Sequence, residues 1–350
     1  MTILPASFRV GDRQIGGGAP CYVIAEVGAN HNRDLDVAKA LIEAAAAAGA
    51  DAVKFQTYAG AAVYSRFTPR FQYVVDERSP AEMLEAIALP REWHEPLADH
   101  ARSLDIDWFS SPFDRHAIAE LVAVGVPMLK IASFELVDLP LIGAAAATGL
   151  PVILSTGMAA YGEIEDALRA VTDAGGGAVA LLRCASLYPA PPRLLNLRAI
   201  GTLRRAFGTP AGLSDHTTGI AVATGAAALG MDMLEKHITL DRTMEGPDHP
   251  FALEPDELAA MVQGVREVES AMGDGVLRGP SDEERGEMYS LGRRSVHAAT
   301  TIAAGAVITE DMLTIKRPGY GIMARDIPLL VGRVARQQIA VDTTVTWDLV

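Results

Sequence analysis

Residues 212–219 read GLSDHTTG and residues 231–249 read MDMLEKHITLDRTMEGPDH, with an alanine-rich run between them. Two short apolar runs each end in a dense polar cluster: Ser214-Asp215-His216 after the first, Glu235-Lys236-His237 after the second. The segment between them has the composition of a helix. Apolar strands that end abruptly in charge, joined by a helix, are what a parallel barrel or sheet presents at its active face. His216 and His237 then stand at the ends of neighbouring strands with their imidazoles turned into one mouth. Two such groups suit a metal site that keeps positions open for substrate and water.

The same alternation extends upstream. Residues 21–27 (CYVIAEV) form a buried strand with Glu26 near its end, and Asp34 is a natural N-cap for a helix over 35–48. Further strands are expected at 52–55, 106–109, 127–131, 151–154, 178–184, 211–213 and 231–234, each followed by a helical pattern, the last over 255–271. The connection at 57–90 holds Tyr64, Phe67, Phe71 and Tyr73 without periodicity and reads as a binding loop or lid. Eight strand–helix units over about 250 residues match a (β/α)8 TIM barrel better than a doubly wound sheet. The expected organisation is a catalytic barrel over 1–275, a linker over 276–290 rich in Gly, Pro and charge, and a small, mostly β domain over 291–350. About 60 residues make a marginal core alone, so docking on the barrel or a second subunit would help that domain.

Composition narrows the function. A net charge of -14 argues against nucleic acid or an anionic membrane as partner. No run approaches the ~20 apolar residues of a membrane span, and the start of the chain lacks a signal-peptide pattern, so a cytoplasmic protein is expected. Cys21 and Cys184 lie in apolar runs and read as core. Only Lys39, Lys54, Lys130, Lys236 and Lys316 are lysines among 30 basic residues. Three of them fall at predicted strand ends, where a compact point charge differs from a planar guanidinium.

Lys54 and Lys130, with the hydroxyls of Ser111, Ser133, Ser155, Ser186 and Ser214, fall on the predicted catalytic face. Ammonium groups among hydroxyl and backbone donors are what a phosphate or carboxylate needs. A single serine after a strand usually starts a turn or caps a helix; the set with two lysines points to an anion site. Glu26 is either a general base or sugar-hydroxyl acceptor, or only the ion-pair partner of Lys54. Dinucleotide and Walker patterns are absent, so no nucleotide is indicated.

IAEVGANHN (24–32), AGADAVKFQ (48–56), FSSPFD (109–114), KIAS (130–133), STGM (155–158), GLSDHTTG (212–219), EKHITLDR (235–242), EGPDH (245–249) and KRPGYG (316–321) occur in this order. Together they resemble the sialic acid synthase family, which makes nonulosonic acids. The resemblance implies a (β/α)8 barrel followed by an antifreeze-like (SAF) domain, in a domain-swapped homodimer. It implies condensation of phosphoenolpyruvate with an N-acetylated hexosamine, N-acetylmannosamine or a diacetylated 6-deoxy analogue, giving a nine-carbon acid and phosphate. A divalent metal is implied as cofactor, Mn2+ first, with Mg2+ or Co2+ as alternatives. By motif, His216 and His237 would be metal ligands and, with Glu26, catalytic. Lys54, Ser111, Lys130, Ser133, Ser155, Ser186 and Ser214 would hold phosphoenolpyruvate, while Tyr188, Asp248 and Arg317 would address the sugar. The chain departs from the pattern at Arg33, where glycine is usual, and at Ala185-Ser186, where many members carry Thr-Asn or Thr-Ser. Two alternatives remain: a synthase of shorter 3-deoxy sugar acids, which needs a second basic cluster for an aldose phosphate, and a catalytically silent carbohydrate-binding relative.

Overall fold

The computed structural model describes residues 4–70 and 78–350. The chain divides into two compact units, Met1–Gly273 and Asp274–Val350. Ahead of the barrel, an antiparallel hairpin pairs β1 (Ser7–Val10) with β2 (Arg13–Gly16).

Eight strands follow: β3 (Tyr22–Glu26), β4 (Ala52–Thr57), β5 (Asp107–Pro112), β6 (Leu129–Ile131), β7 (Val152–Ser155), β8 (Val179–Arg183), β9 (Ala211–Asp215) and β10 (Met233–His237). They form one sheet in the order β5-β4-β3-β10-β9-β8-β7-β6 with every pairing parallel. The two strands at the ends of that order, β5 and β6, are consecutive in the chain, so the sheet curls into a nearly closed barrel. Every residue of β3, β9 and β10 is buried, because one face lines the barrel and the other meets helices.

The helices form where the apolar period is 3.6. The helix Leu35–Ala47 buries Ala38, Leu41, Ile42 and Ala45 on one stripe, and the Asp34 carboxylate caps it by accepting from the amides of Asp36 and Val37. Leu41 is fully buried, so Leu41→Ala costs about 2–5 kcal/mol in lost transfer energy and cavity. Between β9 and β10 the packing is closer than a side chain allows. A Cβ on Gly212 would lie 2.0 Å from the Met233 carbonyl oxygen. This approach brings Ser214 beside Glu235 in register.

The 57–90 connection is not a plain loop. It contains the short helices Gly60–Val63 and Pro80–Ile87, the latter closed by a Ser79–Glu82 capping box. Phe71 and Tyr73 lie outside the described residues.

The second unit has its own core of Val296, Ile302, Ile308, Leu330, Ile339 and Val345, with smaller neighbours. Its one two-stranded sheet among the described residues pairs β11 (Ser295–Ala298) with β12 (Leu313–Lys316) antiparallel. Isolated bridges such as Ile302–Ile339 and Val307–Val334 tie the rest, so this domain is β-rich but irregular. Among the described residues no helix is long and apolar enough to cross a membrane.

Candidate active site

At the C-terminal ends of the barrel strands lies a cavity of about 480 Å³. It is lined by Glu26, Lys54, Ser111, Lys130, Ser133, Ser155, Tyr188, Ser214, His216, His237 and Asp248 among others. The strand register explains the gathering. Glu26 stands beside His237 on one side and Lys54 on the other, and Gln56 stands beside Ser111. Side chains two apart on a strand share a face, so each barrel strand sends one or two polar groups into the same space.

The floor is a buried charge network. Lys54 Nζ lies 2.7 Å from Glu26 Oε2 and 3.8 Å from Glu235 Oε1, and donates to Ser111 Oγ at 3.1 Å. Lys130 Nζ donates to both Glu235 oxygens, at 3.0 and 2.7 Å. Burial works to raise the Glu235 carboxyl, but the Lys130 and Lys54 charges overcome it and hold the group down at about 2. Glu26 goes the other way. Burial pushes it up to about 7, with the Glu235 charge adding and Lys54 opposing. One carboxylate therefore stays ionised while the other titrates near neutrality, the division expected of an electrostatic partner and a proton carrier. Gln56 Nε2 donates to Glu26 Oε1 at 2.7 Å and fixes its orientation.

His216 and His237 face each other with ring centroids 5.6 Å apart. Burial lowers the pKa of both, and for His237 the neighbouring His216 lowers it further, so both rings are neutral at pH 7. His216 Nδ1 is 2.9 Å from the Ala185 carbonyl oxygen. A carbonyl only accepts, so Nδ1 carries the proton and Nε2 presents its lone pair, with Ser214 Oγ 3.5 Å away. His237 Nδ1 is buried with no hydrogen-bond partner. Among the described residues no third His, Cys, Asp or Glu completes a preformed cluster. Two neutral imidazoles, each with a nitrogen able to give a lone pair, are the donor set of an open catalytic site rather than a closed structural one.

Other polar atoms in this region lack partners. Ser155 Oγ, Ser186 Oγ and Glu135 Oε2 are buried without a hydrogen bond. Buried groups of this kind are rare unless a ligand completes them. Ser186 is not among the residues that line the cavity. A Cβ placed on Gly157 would lie 2.3 Å from Ser186 Oγ and 2.8 Å from Ser133 Oγ, so both hydroxyls crowd the same turn after β7. Ser133 Oγ is 2.8 Å from Cys184 Sγ and accepts from the Gly157 amide at 3.2 Å. Asp248 is aimed by the Ala29 amide, which donates to its Oδ2 at 3.2 Å. The loop that carries it is pinned by His249, which bridges Thr239 Oγ1 at 2.7 Å and Asn32 Oδ1 at 3.1 Å.

Eleven of the thirteen expected site residues line the cavity. Ser186 does not, and Arg317 belongs to the second unit, exposed, with its Nε donating to the Gly292 carbonyl at 2.7 Å. Lys236, one of the lysines placed at strand ends, is not in the site. It points outward from β10, where its Nζ donates to Asp215 Oδ2 at 2.8 Å and to the Thr217 carbonyl. Glu235, Gln56 and Glu135 were not anticipated. Alternation could have found Glu235, since it lies two residues before His237 on β10; Glu135 follows a turn and carries no pattern. Both cysteines are buried and free.

Comparison with known proteins shows the family to which the chain belongs. A family model described as NeuB family matches residues 41–277, and one described as SAF domain matches 293–350. The N,N'-diacetyllegionaminic acid synthase of Legionella pneumophila is 38% identical, with 95% of each chain covered. Human N-acetylneuraminate-9-phosphate synthase is 35% identical over 97% of this chain and 95% of its own. Among solved structures, the N-acetylneuraminic acid synthetase of Leptospira borgpetersenii, in complex with citrate, superposes with a TM-score of 0.73 at 34% identity. It covers 82% of this chain and 97% of its own. The chain is therefore a member of the NeuB family, with a SAF domain after its barrel.

Proposed function

We propose that this enzyme condenses phosphoenolpyruvate with the open-chain form of an N-acetylated hexosamine and water, giving a nonulosonic acid and phosphate. The observation that carries this reading is one cavity holding two buried lysines, the hydroxyls of Ser111, Ser133, Ser155 and Ser214, of which Ser155 lacks a hydrogen-bond partner, and two neutral histidines. Lys54, Lys130, Ser111, Ser133, Ser155, Ser186 and Ser214 would take the phosphate and carboxylate. Glu235 sets the charge of the two lysines and keeps them from repelling each other. A shorter synthase acting on an aldose phosphate needs a second basic cluster. Among the described residues lining the cavity, Lys54 and Lys130 are the only lysines and there is no arginine.

His216 and His237 would hold a divalent metal, Mn2+ first and Mg2+ or Co2+ as alternatives. When bound, such an ion supplies Lewis acidity at the aldehyde oxygen of the sugar. The chain's own residues do the rest. The lysine and serine cradle orients C3 of phosphoenolpyruvate toward the aldehyde carbon, and fixing two substrates together supplies much of the acceleration. Bond formation leaves C2 electron-poor; water adds there, and the tetrahedral centre expels phosphate by C–O cleavage. Glu26, near neutrality in its pKa and adjacent to Lys54, is placed to take the proton of that water. Tyr188 and Asp248 would contact the sugar. Arg317 would do so from a second copy of the chain in a domain-swapped homodimer.

The test is phosphate release from phosphoenolpyruvate by the full chain with Mn2+. Release that needs an N-acetylated hexosamine and stops with chelator supports the proposal. Release only with aldose phosphates would overturn it, as would none with any sugar.

A further inference from the structure

The cavity has two chemically different walls. Besides the charged groups, the lining includes Val63, Tyr64, Leu84 and Ile87, together with Tyr58 and Phe113. We infer that these residues form an apolar shelf that selects a sugar with a methyl-terminated substituent and rejects one carrying a phosphate there. The inference rests on the synthase reading above and names the class of sugar it takes.

The shelf is built, not incidental. Gly60 donates its amide to Glu85 Oε2 at 2.8 Å, tying the Gly60–Val63 helix to the Pro80–Ile87 helix. A Cβ on Gly60 would lie 2.0 Å from the Ala81 carbonyl oxygen, so the two helices meet backbone to backbone as only glycine permits. Arg33 Nη1 donates to the Glu85 carbonyl at 2.8 Å and anchors the same helix to the loop after β3. Arg33 adopts φ +56, the left-handed region, to make this reach. The glycine usual at that position in the family could not supply the anchor.

Charge sets the selection. Lys54 and Lys130 are 2% exposed and already engaged with Glu26 and Glu235 at the floor. A dianion laid on Leu84 and Ile87 would lose its hydration with no cation among the described lining residues to replace it. A hydroxymethyl group in place of a methyl loses less. Apolar pockets discriminate against an added hydroxyl by only about 100-fold. Two substituents share the favoured chemistry, a deoxygenated sugar terminus and the methyl of a second N-acetyl group.

The experiment measures kcat/KM for the full chain with Mn2+ across four acceptors. These are N-acetylmannosamine, its 6-phosphate, the 6-deoxy monoacetylated sugar and the diacetylated 6-deoxy sugar. The expected result is about 10–100-fold preference for a 6-deoxy acceptor over N-acetylmannosamine, and no turnover of the 6-phosphate. Which 6-deoxy sugar leads tells which methyl the shelf reads. Leu84→Ser should cut that preference about 10-fold without changing KM for phosphoenolpyruvate. Leu84→Arg should bring the 6-phosphate into measurable turnover. Leu84 is half-buried, and a thermal melt matching wild type confirms that each variant folds. Equal or better use of the 6-phosphate by wild type would overturn the shelf, as would a Leu84→Ser variant with unchanged preference. Phosphate release with no acceptor at all would instead sink the synthase reading beneath it.

Discussion

Replacing Lys236 by methionine tests whether the outer face of the barrel holds the two histidines in place. Asp215 and Lys236 are 0% and 1% exposed, and they point away from the cavity toward the helices. Asp215 precedes His216 and Lys236 precedes His237. The Asp215 carboxylate accepts from Lys236 Nζ at 2.8 Å and from the Thr217 amide at 2.9 Å, while Lys236 also donates to the Thr217 carbonyl. One ion pair thus brackets His216 on both sides and ties it to the strand that carries His237. In Lys236→Met the carboxylate stays buried with a single amide partner. A stranded buried charge costs about 3–5 kcal/mol. For a barrel of this size each kcal/mol lowers Tm by about 2–4 °C, so calorimetry should show a fall of about 6–20 °C. On the proposal that the two histidines hold Mn2+, loosening their support should weaken its binding about 10–100-fold, read as the dissociation constant by electron paramagnetic resonance. The double variant Asp215→Leu/Lys236→Met removes both charges and should melt above the single variant, since well-packed apolar groups replace buried pairs at little cost. A single variant melting within about 2 °C of wild type, or a double variant less stable than the single, would refute the reasoning.

Three further expectations concern the cavity. Glu26 must be ionised to accept a proton, and its carboxyl is raised to about 7, so it is increasingly protonated below that pH. The sugar kcat/KM should therefore fall as pH drops through about 7 in wild type. That acid limb should vanish in Glu26→Gln, with the rate down about 100-fold or more. The same sign applies to stability: raised above its ordinary value, Glu26 favours the fold at low pH, and the contribution is lost as pH rises toward 7. In Gly157→Ala the new methyl would lie 2.3 Å from Ser186 Oγ and 2.8 Å from Ser133 Oγ, displacing both. KM for phosphoenolpyruvate should rise about 10-fold or more, hydrogen bonds to charged groups being worth about 1.5–3 kcal/mol, while KM for the sugar stays within twofold. His237→Ala should abolish tight Mn2+ binding by the same resonance signal, yet leave the melting temperature of the metal-free protein nearly unchanged.

The barrel was legible because its two periods are strong. Strands such as 21–27 are apolar on both faces, helices such as 35–48 show a 3.6 stripe with Asp34 ahead, and polar residues gather only at strand ends. The same gathering exposed Lys54, Lys130, His216 and His237. What stayed hidden depends on facing and on short-range packing. Glu235, Lys236 and His237 read as one cluster, yet the strand turns its middle residue outward, so Lys236 serves the fold and Glu235 the cavity. The helices at 60–63 and 80–87 are too short to show a period, and their contact depends on a missing Cβ at Gly60. The β1–β2 hairpin is likewise too brief, its register set by a two-residue turn rather than by an apolar pattern. Ser186 was read as one more strand-end hydroxyl, yet it does not line the cavity, and its Oγ crowds the turn at Gly157.

The most direct test of the central claim runs the reaction in 18O-labelled water with phosphoenolpyruvate, Mn2+ and the preferred N-acetylated hexosamine. Mass spectrometry then follows both products. The account predicts one nine-carbon acid per phosphate, and phosphate free of label, because water attacks C2 and the C–O bond breaks. Phosphate that carries the label, or that appears without a matching sugar acid, would mean that water attacks phosphorus and would contradict the account.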